Sequence, residues 1–368
     1  MTPAAPTAAS TALLKPLPLL AGLAAVFAML GLAYYTARVD LNFDAPLGAD
    51  HAVSALESGQ LAGASLVPLA TAALADRPVD GRAYRVMAVA TADQGNIDGY
   101  RALINAAVRW APRDRMTRIY LFEDALAQGS APLASQHLDA LLRDVPQIAT
   151  EAARQVAPLM TLPEMQQAMR QRLAAKPNWG PAFVAELARQ PGLVAVARSY
   201  WLDSVPHTDA DQLIYDPGFE RGPVDGAFGW RLPTMPGADA GYSTVQPLAG
   251  KQSVAMDFLG RSVTVNGPYQ DLTLAPGRYR VSLLTRDETG AERPFAWTVS
   301  CTAGGPRELA RLEVGGPLRR GLQRAVLNFT VPAGCVGQRL AFRDGGRNLV
   351  ERQYSGRLTV DIADFRQL

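Results

Sequence analysis

The sequence predicts a multidomain chain: a transmembrane helix, then an all-α region of helical repeats, then an all-β two-sheet sandwich. Three observations carry this. Residues 16–37, PLPLLAGLAAVFAMLGLAYYTA, hold no charged side chain. Prolines recur at Pro78, Pro112 and Pro146, an interval of 34 residues. Beyond Trp230 the apolar pattern changes from helical to alternating.

A chain of 368 residues is long enough for two or more domains. Its 36 basic and 34 acidic residues nearly balance, and no long basic run occurs, so composition argues against nucleic acid as a partner.

The uncharged run follows a short tail, residues 1–15, and is long enough as a helix to cross a hydrocarbon core of about 30 Å. Tyr34 and Tyr35 sit where an interfacial aromatic belt would lie, and Arg38 closes the run. A cleaved signal peptide is the rival. Its best small-residue pair, Gly31 and Ala33, is followed by further apolar sequence, which favours an uncleaved anchor. Lys15 and Arg38 nearly cancel as orientation signals. The only cysteines, Cys301 and Cys335, both fall late in the chain and suit one disulfide in an oxidising compartment, with two free thiols as the alternative. The expectation is a single-pass protein of a bacterial inner membrane, with residues 1–15 cytoplasmic and the remainder periplasmic.

Gly95 and Gly129 share the proline interval. Units 47–80, 81–114 and 115–148 align Val53, Met87 and Leu121 in a first helix, and Ala70, Ile104 and Leu138 in a second. Each unit reads helix, glycine turn, helix, proline stop. This resembles the tetratricopeptide repeat, with one departure: the small residue expected inside the first helix is Ser54, then Ala88, but Phe122 in the third unit. Further helices are expected at 149–160, 164–175, 181–189 and 193–203, giving a repeat region over 47–205. The resemblance implies a concave surface lined by the first helices, where Arg82, Arg85, Tyr120 and Glu123 are candidates for holding a protein partner. The alternative is ordinary solvated side chains.

In GRYRVSLLTR, Tyr279, Val281 and Leu283 share one face and Arg278, Arg280 and Ser282 the other. FAWTVSCTA likewise puts Phe295, Trp297, Val299 and Cys301 together. Further strands are expected at 253–258, 269–274, 309–314, 324–331, 339–343 and 357–365, separated by Gly- and Pro-rich turns, and so many short strands imply a sandwich over 213–368.

The phrases PGFERG, FGW, LAPGRYRVSL and GRLTVDIADF, in that order, resemble the jelly-roll carbohydrate-binding modules. On that reading YDPGFERGPVDGAFGW, residues 215–230, begins the domain, with Phe219 in its core. The resemblance implies a structural calcium near the first and last strands, at Glu220 and Asp361, and no other cofactor. It also implies sugar binding by exposed rings. Trp297 alternates inward, whereas Trp230, Tyr242, Tyr269 and Tyr354 lie in loops or at strand ends and are the candidate glycan-binding residues. Outward Arg278, Arg280 and Arg286 would suit an acidic polysaccharide.

Catalytic signals are sparse. The histidines, His51, His137 and His207, are scattered without metal-ligand spacing, and no glycine-rich phosphate loop occurs. Asp287 and Glu288 are adjacent in a hairpin tip. The chain is therefore expected to be non-catalytic. The pairing of repeats with a jelly-roll looks like membrane-anchored accessory proteins of bacterial exopolysaccharide assembly or export, with the repeats holding a protein and the sandwich a polysaccharide. The rivals are a structural adaptor that binds no sugar and a glycan-processing enzyme.

Overall fold

A computed structural model describes residues 49–190, 192–302, 307–317 and 321–368. The expected transmembrane helix, residues 16–37, lies outside them. Among the described residues no helix is long and apolar enough to cross a membrane. The fold class is corrected to a helical unit and a β-sandwich unit, and the single-pass inner-membrane placement is withdrawn with it. The contacts divide the chain after Arg172.

The helical unit contains α1 (Ala49–Glu57), α2 (Val67–Asp76), α3 (Gly81–Asp93), α4 (Ile97–Trp110), α5 (Arg115–Ala127), α6 (Ala131–Asp144), α7 (Ala149–Val156) and α8 (Pro163–Leu173), the last of which ends one residue past the division. Helices α3 and α5 begin 34 residues apart, as do α4 and α6, so the sequence period is a period of helix pairs. Local chemistry sets it. The side chain of Asp80 accepts from Arg82 N, that of Asn96 from Gly99 N and that of Asp114 from Thr117 N, each capping a helix start. Gly95 and Gly129 turn the chain between paired helices at φ of 78° and 70°, where a side chain would be strained. Ala88 and Phe122, which occupy one position of the repeat, are both buried, whereas Ser54 at the same position is exposed.

The second unit opens with α9 (Gly180–Leu187) and α10 (Val194–Ser204). These helices, expected to cap the repeats, group with the sandwich. Trp201 is the reason: its ring meets Tyr215 edge-on at 4.8 Å and lies 6.1 Å from Phe228. Buried Arg198 adds a polar tie, donating to the carbonyls of Asp211 and Gln212 at 2.7 and 3.3 Å.

The strands are β1 (Ala238–Ser243), β2 (Ser253–Ser262), β3 (Tyr269–Leu272), β4 (Gly277–Asp287), β5 (Phe295–Cys301), β6 (Arg307–Val314), β7 (Gly321–Val331), β8 (Gln338–Arg343) and β9 (Gln353–Gln367). They form an antiparallel five-stranded sheet, β1-β2-β9-β4-β7, and a four-stranded sheet, β3-β8-β5-β6. Alternation sends Val254, Met256, Val281, Leu283, Leu358 and Val360 of the first, and Leu272, Phe295, Trp297, Val299, Leu340 and Phe342 of the second, into one shared core. Phe219 is fully buried in it, as its place at the start of the domain requires.

Candidate functional site

The four candidate rings do not form one platform. Trp230 is buried: its ring lies 4.7 Å from Phe219 and its Nε1–H donates to the Asp216 carbonyl at 2.9 Å. Tyr354 is fully buried between Phe258 and Phe295, with ring centroids 5.2 and 5.1 Å away. Tyr242 is half-buried, packs against the core beside Phe219, and has its phenol raised by burial. The expectation that loop and strand-end rings face solvent fails for these three because the core between the sheets takes up their apolar surface.

Tyr269 differs. In β3 it pairs with Ala341 of β8, while Gln270 and Leu272 take the inward positions, so Tyr269 and Asp271 stand on the outer face of the four-stranded sheet. Asp271 pairs with Arg339. The Arg339 guanidinium is held bidentately by Asp271 at 2.7 and 2.9 Å and lies 4.3 Å from the Tyr269 ring centroid. The carboxylate hydrogen bond raises the arginine above its ordinary value and fixes the fork over the ring. Next across the sheet, β5 offers Ala296, Thr298 and Ser300 on this face, opposite Arg343, Ala341 and Arg339. On this face Ala341, Thr298 and Ala296 are themselves buried, and Tyr269, Arg339, Arg343 and, from β6, Arg311 and Glu313 stand around them.

The Arg339 guanidinium already takes one face of Tyr269, so a sugar ring would stack on the other, with planar polar groups to hydrogen-bond its hydroxyls. The alternation in YQDL and QRLAFR already put Tyr269 with Asp271 and Arg339 with Arg343. What the residues did not show was that these two strands pair.

Among the described residues, the outward strand positions of the five-stranded sheet carry no aromatic ring. They carry Arg278, Arg280 and Arg286 as expected, with Arg280 on Asn328 Oδ1 at 3.0 Å and Arg286 on Gln246 O at 3.1 Å.

In the helical unit the four partner candidates separate. Arg85 is buried and ion-paired to Glu57 and Asp114 at 3.2 and 2.9 Å, so its charge is used internally. Arg82 is paired to Asp50 and, at 3.2 Å, to Asp80, which also caps its helix. Both assignments to a partner are corrected: these arginines join helices of their own unit. Tyr120 is half-buried and its backbone carbonyl accepts from the Tyr100 hydroxyl at 3.2 Å. Glu123 is half-buried, its Oε1 has no hydrogen-bond partner among the described residues, and burial pushes its carboxyl up to about 7.

Glu220 and Asp361 converge on the loop 248–252 but do not fit calcium, which takes roughly six to eight oxygen ligands. Glu220 Oε1 accepts from Lys251 N and Gln252 N at 2.8 and 3.4 Å. Asp361 Oδ2 accepts from Ser253 Oγ and Ala249 N at 2.8 and 3.2 Å, and its Oδ1 accepts from Ile362 N at 2.7 Å. Donors aimed at these oxygens occupy the positions a cation would need, and no cluster of three or more His, Cys, Asp or Glu side chains among the described residues could hold a metal. The pair clamps the loop instead. Burial, with the nearby charge of Glu220, pushes Asp361 up to about 6.

Cys301 and Cys335 form the expected disulfide, with an S–S distance of 2.04 Å, at one end of the core. Asp287, at the hairpin tip, is buried and accepts from Thr289 N, Thr289 Oγ1 and Gly316 N at 2.7 to 2.9 Å, so it organises two loops. A cleft of about 280 Å³ lies between α9, α10 and the loop 224–227; its lining, including Pro181, Val184, Trp201 and Val224, is mostly apolar and has Asp225 as its one carboxylate.

No family model matches the chain, and no curated relative does. The C-terminal sandwich is similar to solved carbohydrate-binding modules. One is TmCBM61, solved with β-1,4-galactotriose, at 21% identity over 43% of this chain and 97% of that one, with a TM-score of 0.29. Another is the CBM22-1 xylan-binding domain of Xyn10C from Paenibacillus barcinonensis, at 17% identity over 41% and 90%, with a TM-score of 0.30. The enzymatically active domain of tailspike protein 4 from bacteriophage CBA120 matches at 11% identity over 38% of this chain and only 19% of its own length, with a TM-score of 0.29. Scores of this size carry no argument about ligand or activity.

Proposed function

We propose that this chain is a non-catalytic binding protein whose sandwich takes glycan on the outer face of the four-stranded sheet. The observation that carries the reading is the Tyr269–Arg339–Asp271 arrangement: a half-exposed ring with a planar, carboxylate-locked guanidinium on the outer face of the sheet. The helical unit would hold a protein partner through Tyr120 and Glu123, the two candidates whose side chains are not used in ion pairs between its own helices. The resemblance of this domain pairing to exopolysaccharide accessory proteins suggests polysaccharide assembly or export as the setting.

Affinity electrophoresis of the whole protein against a panel of neutral and acidic bacterial polysaccharides tests the glycan reading. Retardation by at least one polymer should weaken by about 1 kcal/mol, or roughly fivefold, in Tyr269→Ala. No retardation of the folded protein by any polymer would leave the adaptor, favoured by the burial of Trp230 and Tyr354, as the better account.

A further inference from the structure

We infer that the glycan bound on this face is anionic, a uronate-bearing polysaccharide whose carboxylate is met by Arg343 and Arg231; this rests on the glycan reading above. Arg231 pairs with Tyr269 in an isolated antiparallel bridge, with N–H···O distances of 2.8 and 3.0 Å, which places it beside the ring on the side away from β8. Arg343 stands two residues along β8 from Ala341, the partner of Tyr269, and so on the same outer face. The ring thus has a guanidinium-bearing residue on either side.

The charges around the ring are not equally committed. Arg339 is neutralised by Asp271, Arg311 lies 3.4 Å from Glu308, and Glu313 of β6 adds an exposed carboxylate on the same face, opposite Ala296. Arg343 donates to a neutral acceptor, Asn266 Oδ1, at 2.9 Å, and Arg231 to the Gly226 carbonyl. No carboxylate of the described residues pairs with either. Arg231 is exposed and Arg343 half-buried, so both are open to a ligand. A neutral sugar would use their hydrogen bonds but leave two positive charges without a counter-ion. A uronate carboxylate, coplanar with the guanidinium fork and fixed to a ring that stacks on Tyr269, would satisfy both. The opposite outer face supplies a control within the same molecule: Arg280 also rests on a neutral partner, but among the described residues the outward strand positions there carry no aromatic side chain.

The test compares polygalacturonate with its methyl-esterified form, which keeps the sugar backbone and removes the charge, and adds dextran sulfate. At about 150 mM salt, where attraction between exposed charges is screened beyond roughly 8 Å, the acid should bind the full chain about tenfold more tightly than the ester. Arg343→Gln and Arg231→Gln should each reduce that preference by about threefold or more while Arg280→Gln preserves it. Equal binding of acid and ester, a preference for dextran sulfate, or equal sensitivity to Arg280→Gln would overturn the assignment and leave the glycan reading standing. Absence of binding to these three and to every neutral polymer would remove both.

Discussion

The indole Nε1–H of Trp201 donates to the carbonyl of Asp225 at 2.9 Å, joining helix α10 to the loop that precedes the sandwich. The next residue, Gly226, has φ of 117°, and a Cβ placed on it would lie 2.1 Å from that same Nε1. Trp201 cannot yield, because Tyr215 and Phe228 pack against it. Gly226→Ala should therefore destabilise the second unit by about 3 kcal/mol, combining backbone strain with overpacking. Urea unfolding followed by tryptophan fluorescence measures it; a change below about 1 kcal/mol would show that the contact is not maintained.

Trp230 and Tyr269 should separate stability from binding. Trp230→Ala removes a buried ring and its hydrogen bond to Asp216, a loss of about 3–5 kcal/mol. Tyr269→Ala should cost under about 1.5 kcal/mol in stability because the ring is half-exposed, while weakening polysaccharide retardation. Equal stability losses in the two variants would contradict the burial difference.

Unreduced, denatured protein should show no free thiol. The Cys301–Cys335 bridge closes a sequence separation of 34 residues. Confining a loop of that length in the unfolded chain stabilises the fold by about 3–4 kcal/mol on the chain-entropy model. Replacing both cysteines by alanine should lower the urea midpoint correspondingly, with the same gap between oxidised and reduced wild type.

Asp361 makes stability depend on pH with a defined sign. Its carboxyl is raised from 3.8 to about 6, so the folded state holds the proton more firmly than the unfolded chain. The stabilising contribution is fully present below about pH 4 and is lost as pH rises through about 6, a span of about 3 kcal/mol. His137 acts oppositely in the helical unit. Burial and the Arg118 charge depress it from 6.5 to about 4, so its contribution is present above about pH 6.5 and lost as pH falls through 4. Asp361→Asn cannot ionise and should gain on wild type between pH 4 and 7, read as the difference between two denaturation series. A flat difference would show that Asp361 titrates normally.

Much of this architecture was legible in local signals. Caps at Asp80, Asn96 and Asp114, turns at Gly95 and Gly129, and alternation in FAWTVSC act within a few residues, so the helix pairs, the inward Trp297 and most strands could be read directly. The pairing of Cys301 with Cys335 followed from there being only two cysteines. Tertiary structure decided the rest. Whether a ring at a strand end meets solvent or core depends on what packs against it, which separated Tyr269 from Trp230 and Tyr354. The same holds for charge: Arg85 looks like a groove residue until Glu57 and Asp114 arrive from other helices. Helices α9 and α10 have helical sequence, but the ring of Trp201 assigns them to the sandwich. The binding face itself depends on β3 pairing with β8, which sets Asp271 against Arg339 across 68 residues of chain. Register between distant strands is a property of the closed sheet, because only mutual burial of both inner faces selects it.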